Sequence, residues 1–470
     1  MQTVLRTFNP VLNTENKPKY YPDKKNELVK RLNYISKKFS LQKNFNLEKR
    51  ILFLQKLSEG LTNNKNKIAF FYCSESGLSQ ERFLKEFDRL LFQIGQYADF
   101  LSEGFKDSKE IRTKDSSYQK KQLPIGPVLV LGASNFPLAY STAGGDTIAA
   151  FSAGCPVIFK AHPYHIGTSL CVAKIISQSL KNSNTPEWYF THVIDWPNHR
   201  LTELLIKHST IKAAAFTGSR ETGVLLQKYV FKRPEPIPFF AEMGSLNPIV
   251  IDKSILNKVK STFLKKIIYS INDDGGQFCT KPGIIFLPNT QKGKETLDSL
   301  IEIWMKEPFF YPIHPKIQEN YNQLIKSLKV KYPKNRFFFQ GSKVSQQFEK
   351  VAFLFQMNEL SNQDNIFKEV FGPFSVFILY NHLDEVEEVL LKLGGQLTGS
   401  FFGKKFNSKI LNVFEQNCGR IIFNDVPTGV QVNKNMHHGG PFPASSDARF
   451  TAVGTDSILR FIRPVTLQNF

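Results

Sequence analysis

Between residues 25 and 105 apolar positions recur every three and four residues, as at Ile51, Leu54, Leu57 and Leu61 and again at Leu90, Leu91, Ile94 and Tyr97. Polar and charged residues fill the intervals, and that period predicts amphipathic helices. Residues 106–122 are polar and charged, a connector or an exposed edge element. From 124 onward short apolar runs alternate with helical patterns. Strands are expected at 128–131, 156–159, 189–194, 213–216 and 248–251, and helices at about 140–153, 167–181, 198–208 and 220–229. A second alternating region covers about 250–425, with helices near 254–271 and 292–306 and strands at 283–287, 374–379 and 420–423. Apolar strands joined through helices predict an α/β fold with parallel sheet covered on both faces, where ligands lie beyond the carboxyl ends of the strands. The tail 459–466 reads as a terminal edge strand, a kind of element that pairs with another chain.

At 470 residues the chain has room for two domains. The net charge is +20, but the lysines are dispersed, denser only from Lys17 to Arg50, and no helix-turn-helix or RNA-binding signature accompanies them. The charge is read as solubility with a mild pull on anionic ligands, not as a nucleic-acid surface. Cys73, Cys155, Cys171, Cys279 and Cys418 stand apart with no C-x-x-C pair. That spacing argues against a metal site or a disulfide framework and for a reducing cytoplasm. No apolar run approaches the roughly eighteen residues needed to cross a bilayer, and the first residues lack the apolar core of a signal peptide.

Cys279 lies in Gly-Gly-Gln-Phe-Cys-Thr-Lys-Pro-Gly (275–283). Glycines let backbone N–H groups converge on a reacting atom, so a thiol there can attack a carbonyl if a base and an oxyanion donor are supplied. Asn135, in a Ser-Asn-Phe-Pro loop after the 128–131 strand, offers a neutral N–H donor; an ordinary turn is the plainer reading. In Thr-Gly-Ser-Arg (217–220), Gly218 permits a tight turn and Ser219 caps a helix whose first amides can face an anion. Lys160 ends a strand and points to the same crevice, or to solvent. Glu242 sits among apolar residues that raise a carboxyl pKa toward the range of a general base, and Glu369 precedes Val-Phe-Gly-Pro. Either carboxylate could instead serve a structural ion pair.

Six stretches in order, SNFP (134–137), VIFKAHP (157–163), FTGS (216–219), AEMG (241–244), GQFCTKPG (276–283) and EVFGPF (369–374), resemble the aldehyde dehydrogenase family. The resemblance runs from about 124 to 465 and implies a Rossmann-type cofactor domain, an α/β catalytic domain and a small oligomerisation element. These would be residues 1–108 with 124–243, residues 244–448, and residues 109–123 with 449–470. It implies Cys279 as nucleophile, Asn135 and the Cys279 N–H as oxyanion donors, and Glu242 as the base that activates water. Lys160, Gly218, Ser219, Gly223, Phe136, Glu369 and Phe371 would hold NADP or NAD. It also implies a cytoplasmic homodimer or homotetramer acting on a small aldehyde, without nucleic acid, membrane or metal.

Longer stretches at 132–147, 154–169, 424–432 and 438–454 resemble the members that oxidise 2,5-dioxopentanoate (2-oxoglutarate semialdehyde) to 2-oxoglutarate. NADP-dependent long-chain or broad-range aldehyde dehydrogenases are the alternative. The substrate's carboxylate is expected at Arg449 and the Gly439–Gly440 turn, with Ser446 and Phe136 alongside; a structural salt bridge is the other reading of Arg449. Three departures from the family pattern stand out. Pro163 replaces a ribose-binding Glu, which predicts that NADP is accepted, with His162 and His165 either near its phosphate or simply on the surface. Met243-Gly244-Ser245 stands where Leu-Gly-Gly is usual, and the 9–13 segment matches only faintly. A cofactor-free cysteine hydrolase and a catalytically silent relative are the competing readings. Lys160, Ser219 and Glu369 argue against the first, and Cys279, Glu242 and Asn135 against the second.

Overall fold

The structure, a computed structural model, describes residues 3–41, 46–104, 110–258, 260–333, 335–360 and 365–470. The expected domain boundary at 108/109 lies outside the described residues, as do 1–2 and 42–45 of the expected cofactor unit and 259, 334 and 361–364 of the expected catalytic unit.

A short hairpin, β1 (Phe8–Asn9) and β2 (Thr14–Glu15), precedes helices α1 (Lys25–Leu41), α2 (Leu47–Asn63), α3 (Lys65–Ser76) and α4 (Gln80–Ser102). The three-and-four period buries Phe83, Phe87, Leu90, Ile94, Tyr97 and Leu101 on one face of α4, and Ser79 caps that helix by accepting from the Arg82 N–H. Next come β3 (Ile111–Arg112), β4 (Ser117–Pro124), β5 (Val128–Leu131), α5 (Gly145–Ala153), β6 (Val157–Lys160), α6 (Ile166–Asn182), β7 (Phe190–Val193), α7 (Arg200–Lys207), β8 (Ala213–Thr217), α8 (Arg220–Phe231) and β9 (Phe239–Glu242). Strands β7-β6-β5-β8-β9 form a five-stranded parallel sheet, and the four residues of β5 are all buried. Helix α5 begins at Gly145, not at 140, because the preceding loop is tied down. The buried Glu86 carboxylate accepts from the N–H of Leu138 at 2.8 Å and of Ala139 at 2.7 Å.

The second region holds β10 (Ile249–Ile251), α9 (Ser261–Asn272), β11 (Ile284–Pro288), α10 (Gln291–Lys306), α11 (Pro315–Lys331), β12 (Phe337–Gln340), β13 (Lys350–Gln356), β14 (Phe374–Tyr380), α12 (Leu383–Leu393), β15 (Gln396–Phe402), α13 (Ser408–Asn417) and β16 (Cys418–Phe423). Its seven-stranded sheet runs β12-β13-β14-β11-β10-β15-β16, parallel except for the β12–β13 pair. The polar connector proves to contain β4, which pairs antiparallel with the terminal strand β17 (Ile462–Gln468), Ile462 opposite Pro124 and Gln468 opposite Tyr118. The loop after β5 bonds to the loop before β11 through Asn135 and Gln277, and the turn after β8 bonds to the end of β9 through Gly218 and Glu242.

Candidate active site

The loop that carries Cys279 is set by backbone that side chains tolerate poorly. Asp274, Gly275 and Gly276 have φ of 47°, 67° and 66°, and a Cβ on Gly276 would overlap the carbonyl of Gly372. Gln277 locks the turn, donating to the carbonyls of Asp274 at 2.8 Å and Tyr311 at 3.1 Å and accepting from the Ile313 N–H at 2.9 Å. Buried Asn247 donates from Nδ2 to the carbonyls of Cys279 at 2.8 Å and Lys281 at 3.0 Å. Residues on both sides of the thiol are therefore held before any ligand arrives.

Asn135 reaches this loop from the end of β5, its Nδ2 donating to the Gln277 carbonyl at 2.8 Å. Glu242 ends β9 and accepts from the Ser445 hydroxyl at Oε2, 2.6 Å. Burial pushes its carboxyl up to about 8, although Ser445 and the Arg460 charge pull the other way. Glu369 packs on Gly244, where a Cβ would overlap its carboxylate. Burial raises the Glu369 carboxyl, with the Lys281 charge opposing, and lowers the Lys281 ammonium. The Lys281 ammonium donates to the carbonyls of Val370 at 3.1 Å and Phe374 at 2.7 Å.

Burial, followed by the charges of Glu369 and Glu242, pushes the Cys279 thiol up to about 12; its own N–H and the Arg420 charge act in the opposite sense. His438 Nε2 lies 3.8 Å from Sγ of Cys279. Burial and the charges of Arg420 and Arg89 hold that imidazole near 3, so it stands neutral beside the thiol. The thiol thus has a hydrogen-bond partner that carries no charge of its own.

Along the crevice, buried Lys160 ends β6, with its ammonium lowered by burial and supported by the charge of Asp195. That ammonium makes no hydrogen bond or ion pair within the chain among the described residues. Ser219 caps α8, accepting from the Thr222 N–H at 3.3 Å, and stays exposed. The Gly218 N–H donates to the Glu242 carbonyl at 3.1 Å, tying the α8 turn to the base. Gly223 is buried, and a Cβ there would press on Met243 Sδ at 2.6 Å, so its contact is with the sheet beneath. The Phe136 ring meets Tyr140 and Phe278 edge to face at 5.1 and 5.5 Å, lining the wall next to Cys279. Phe371 is half-buried in the loop before β14. His165 is buried rather than on the surface, its Nε2 3.0 Å from the Ala133 carbonyl and its ring stacked 5.3 Å from His162.

Two expected substrate residues are engaged elsewhere. The Arg449 side chain is 80% exposed and forks onto Asp447, with Nε to Oδ1 at 2.9 Å and Nη2 to Oδ2 at 2.6 Å, the salt-bridge alternative raised for it. Ser446 accepts from the Ala241 N–H at 2.8 Å and donates to the Phe239 carbonyl at 2.6 Å, so its hydroxyl is spent on pinning the loop to β9. The residues that hold the thiol and the base and were not foreseen are His438 and Asn247 at Cys279 and Ser445 at Glu242. His438 and Ser445 fall inside the 438–454 stretch that resembles the semialdehyde enzymes, and that resemblance was their signal; Asn247 carried none. No group of three or more His, Cys, Asp or Glu with metal-holding geometry occurs among the described residues, and no helix there is long and apolar enough to cross a membrane.

The Aldehyde dehydrogenase family profile matches residues 2–446. An alpha-ketoglutaric semialdehyde dehydrogenase of Acinetobacter baylyi is 36% identical over 443 residues, covering 90% of this chain and 82% of the relative. Alpha-ketoglutaric semialdehyde dehydrogenase 2 of Azospirillum brasilense is 33% identical over 438 residues, covering 90% and 83%. Among solved structures, glyceraldehyde-3-phosphate dehydrogenase GapN of Methanocaldococcus jannaschii, complexed with NADP, superposes with a TM-score of 0.85 at 18% identity over 100% of this chain and 99% of that one.

Proposed function

Because the chain belongs to the aldehyde dehydrogenase family, we propose that it oxidises 2,5-dioxopentanoate to 2-oxoglutarate through a thioester on Cys279. The aldehyde dehydrogenase activity and the use of NAD or NADP follow from the family. The substrate is our reading, supported by the 36% and 33% identity to two alpha-ketoglutaric semialdehyde dehydrogenases over 90% of the chain. The observation that carries the chemistry is the convergence of Cys279, Asn135 and Glu242 from three distant segments.

The residues around the crevice fit the cofactor. A buried ammonium without a partner at Lys160, exposed first-turn amides at α8, and a carboxylate pressed onto Gly244 match the ribose hydroxyls and phosphates of a dinucleotide. We assign Lys160, Gly218 and Ser219 to its adenosine and pyrophosphate part, Glu369, Phe371 and Phe136 to the other end, and Gly223 to the close packing beneath it. What NAD or NADP supplies when bound is a hydride acceptor.

In this reading the Cys279 thiol loses its proton to solvent, Sγ adds to the aldehyde carbon, and the Asn135 amide and Cys279 N–H hold the oxyanion of the thiohemiacetal. Loss of hydride from that carbon leaves a thioester. Glu242 takes a proton from water, the hydroxide attacks the thioester carbon, the C–S bond breaks, and the thiolate departs from the carboxylate product. A carboxyl near 8 is half ionised at mildly alkaline pH, where it can both accept and release that proton.

We further assign the five-stranded sheet with its helices to the cofactor domain and residues 244–448 to the catalytic domain. The β4–β17 sheet we assign to contact with a second copy, giving a homodimer or homotetramer in the cytoplasm. The free cysteines and the antiparallel edge sheet support that assignment.

The test is NAD(P)H absorbance with 2,5-dioxopentanoate, pentanal and hexanal under both cofactors. A kcat/KM for 2,5-dioxopentanoate well above that for either neutral aldehyde bears out the substrate; a preference for hexanal favours the long-chain alternative and defeats it.

A further inference from the structure

The guanidinium groups around the aldehyde end of the site differ in how their charge is met. Arg82 pairs with Glu86 and Asp274, and Arg460 with Asp146. Arg89 and Arg420 have no carboxylate within ion-pair reach among the described residues. Arg89, on α4, donates from Nη1 to the Val430 carbonyl and from Nη2 to the Tyr140 hydroxyl at 3.2 Å. Arg420, on β16, donates from Nη2 to the Pro427 carbonyl. The Nε–H of each is buried without an acceptor. Asp425, whose charge reaches Arg420, is already paired with Lys266 at 2.7 Å. Two fixed cations resting on neutral acceptors are a costly arrangement that an anion would complete.

Both charges reach His438 beside the nucleophile, and that of Arg420 reaches Cys279 itself. The Tyr140 ring that Arg89 holds is 6.1 Å from the His438 ring, and His438 Nε2 is 3.8 Å from Sγ of Cys279. Arg420 follows Gly419, where a side chain would overlap the Gly439 carbonyl, so β16 abuts the loop that carries His438. The two arginines reach the same loop, 427–430, from a helix and from a strand. Neither therefore depends on the other for its position.

We propose that Arg89 and Arg420 receive the carboxylate of the substrate at the end remote from its aldehyde, and so select ω-oxo acids over neutral aldehydes of equal length. A planar fork suits a carboxylate in a way that a single ammonium does not. The inference rests on the reading of the substrate as a carboxylate-bearing aldehyde, and it moves the recognition expected of Arg449 to the interior of the site.

The experiment compares kcat/KM for 2,5-dioxopentanoate and for pentanal in the wild type and in Arg89→Met, Arg420→Met, Arg89→Lys and Arg420→Lys. The expected result is a loss of roughly thirtyfold or more in the ratio of the two substrates for the Met variants, partly regained with Lys. Because both side chains brace a loop, a second measurement is independent of turnover. 2-Oxoglutarate should slow alkylation of Cys279 by iodoacetamide in the wild type and in the Lys variants, and cease to do so in the Met variants. A wild-type preference for the anion that survives in both Met variants, with product protection intact, overturns the assignment of the arginines alone. A wild type that prefers pentanal overturns the substrate reading, and this inference with it.

Discussion

The Ser445 hydroxyl donates a 2.6 Å hydrogen bond to Oε2 of Glu242, and the two backbones meet in an isolated antiparallel bridge. The bond favours the ionised carboxylate against burial, which still wins and pushes the group up to about 8. When thioester hydrolysis limits turnover, kcat in the wild type should rise with pH and level off above about 8. Removing the donor in Ser445→Ala should move that limb about one pH unit higher, the worth of an ordinary hydrogen bond to a charged group. A pH profile of kcat checks it, and an unmoved limb would show that the hydroxyl does not tune the base.

The same burial has a stability signature. Glu242 is favoured as the neutral acid in the folded chain, and its folded pKa of about 8 lies above the unfolded value. Above the unfolded carboxyl range the native state binds the extra proton, so stability falls as pH rises toward 8 and the full cost is present beyond it. Each tenfold difference in proton affinity between the folded and unfolded chain is worth about 1.4 kcal/mol. Glu242→Gln, which cannot ionise, should match the wild-type Tm near pH 5 and exceed it at pH 9, while losing steady-state turnover. Equal Tm differences at both pH values would mean that the carboxyl is not held neutral by its surroundings.

Much of this was legible along the chain, and the reasons are local. Val128–Leu131 is apolar throughout because both faces of its sheet are covered. Cys279 is flanked by glycines because its loop needs positive φ and close approach to Gly372. What was missed depended on partners. Strand β4 is exposed at Tyr118 and Lys120 and half-buried at its other positions, so its sequence left connector and edge element open until β17 lay beside it. Helix α11, rich in lysine and asparagine, buries only Tyr321, Ile325 and Leu328 and left too thin a stripe. Arg89 reads as one more charge on a helix, and Arg449, in a motif-rich stretch, as the better candidate. Which guanidinium has a carboxylate beside it is a property of the fold, and Asp447 settles it for Arg449 at two residues' distance.

His438 gives a third expectation. Its neutral imidazole lies 3.8 Å from Sγ of a thiol pushed up to about 12. A neutral imidazole beside the sulfur, accepting from the S–H in one tautomer and donating to the thiolate in the other, is the nearest relief for a group that must lose its proton to react. His438→Ala should slow alkylation of Cys279 by iodoacetamide about tenfold at pH 7.5, the equivalent of one hydrogen bond of about 1.4 kcal/mol. His438→Gln, which keeps an acceptor, should recover part of the rate. Equal rates in all three proteins, with Cys279 identified as the labelled residue by peptide mass, would remove the imidazole from the activation of the thiol.

The last expectation concerns the dinucleotide. Pro163 is exposed three residues beyond Lys160, beside the stacked His162 and His165. The position carries no carboxylate, so no charge at 163 itself repels a 2′-phosphate; the carboxylate whose charge reaches Lys160 is that of Asp195. The wild type should therefore accept NADP, and an absolute requirement for NAD would contradict that expectation. Pro163→Glu should move the ratio of kcat/KM for NADP over NAD about ten- to a hundredfold toward NAD, from about 1–3 kcal/mol of repulsion between partly screened charges. Pro163→Gln supplies a side chain of the same shape without the charge. If Gln shifts the ratio as far as Glu does, the change arises from the proline's backbone and not from electrostatics, and the absence of a carboxylate at 163 is not what admits the phosphate.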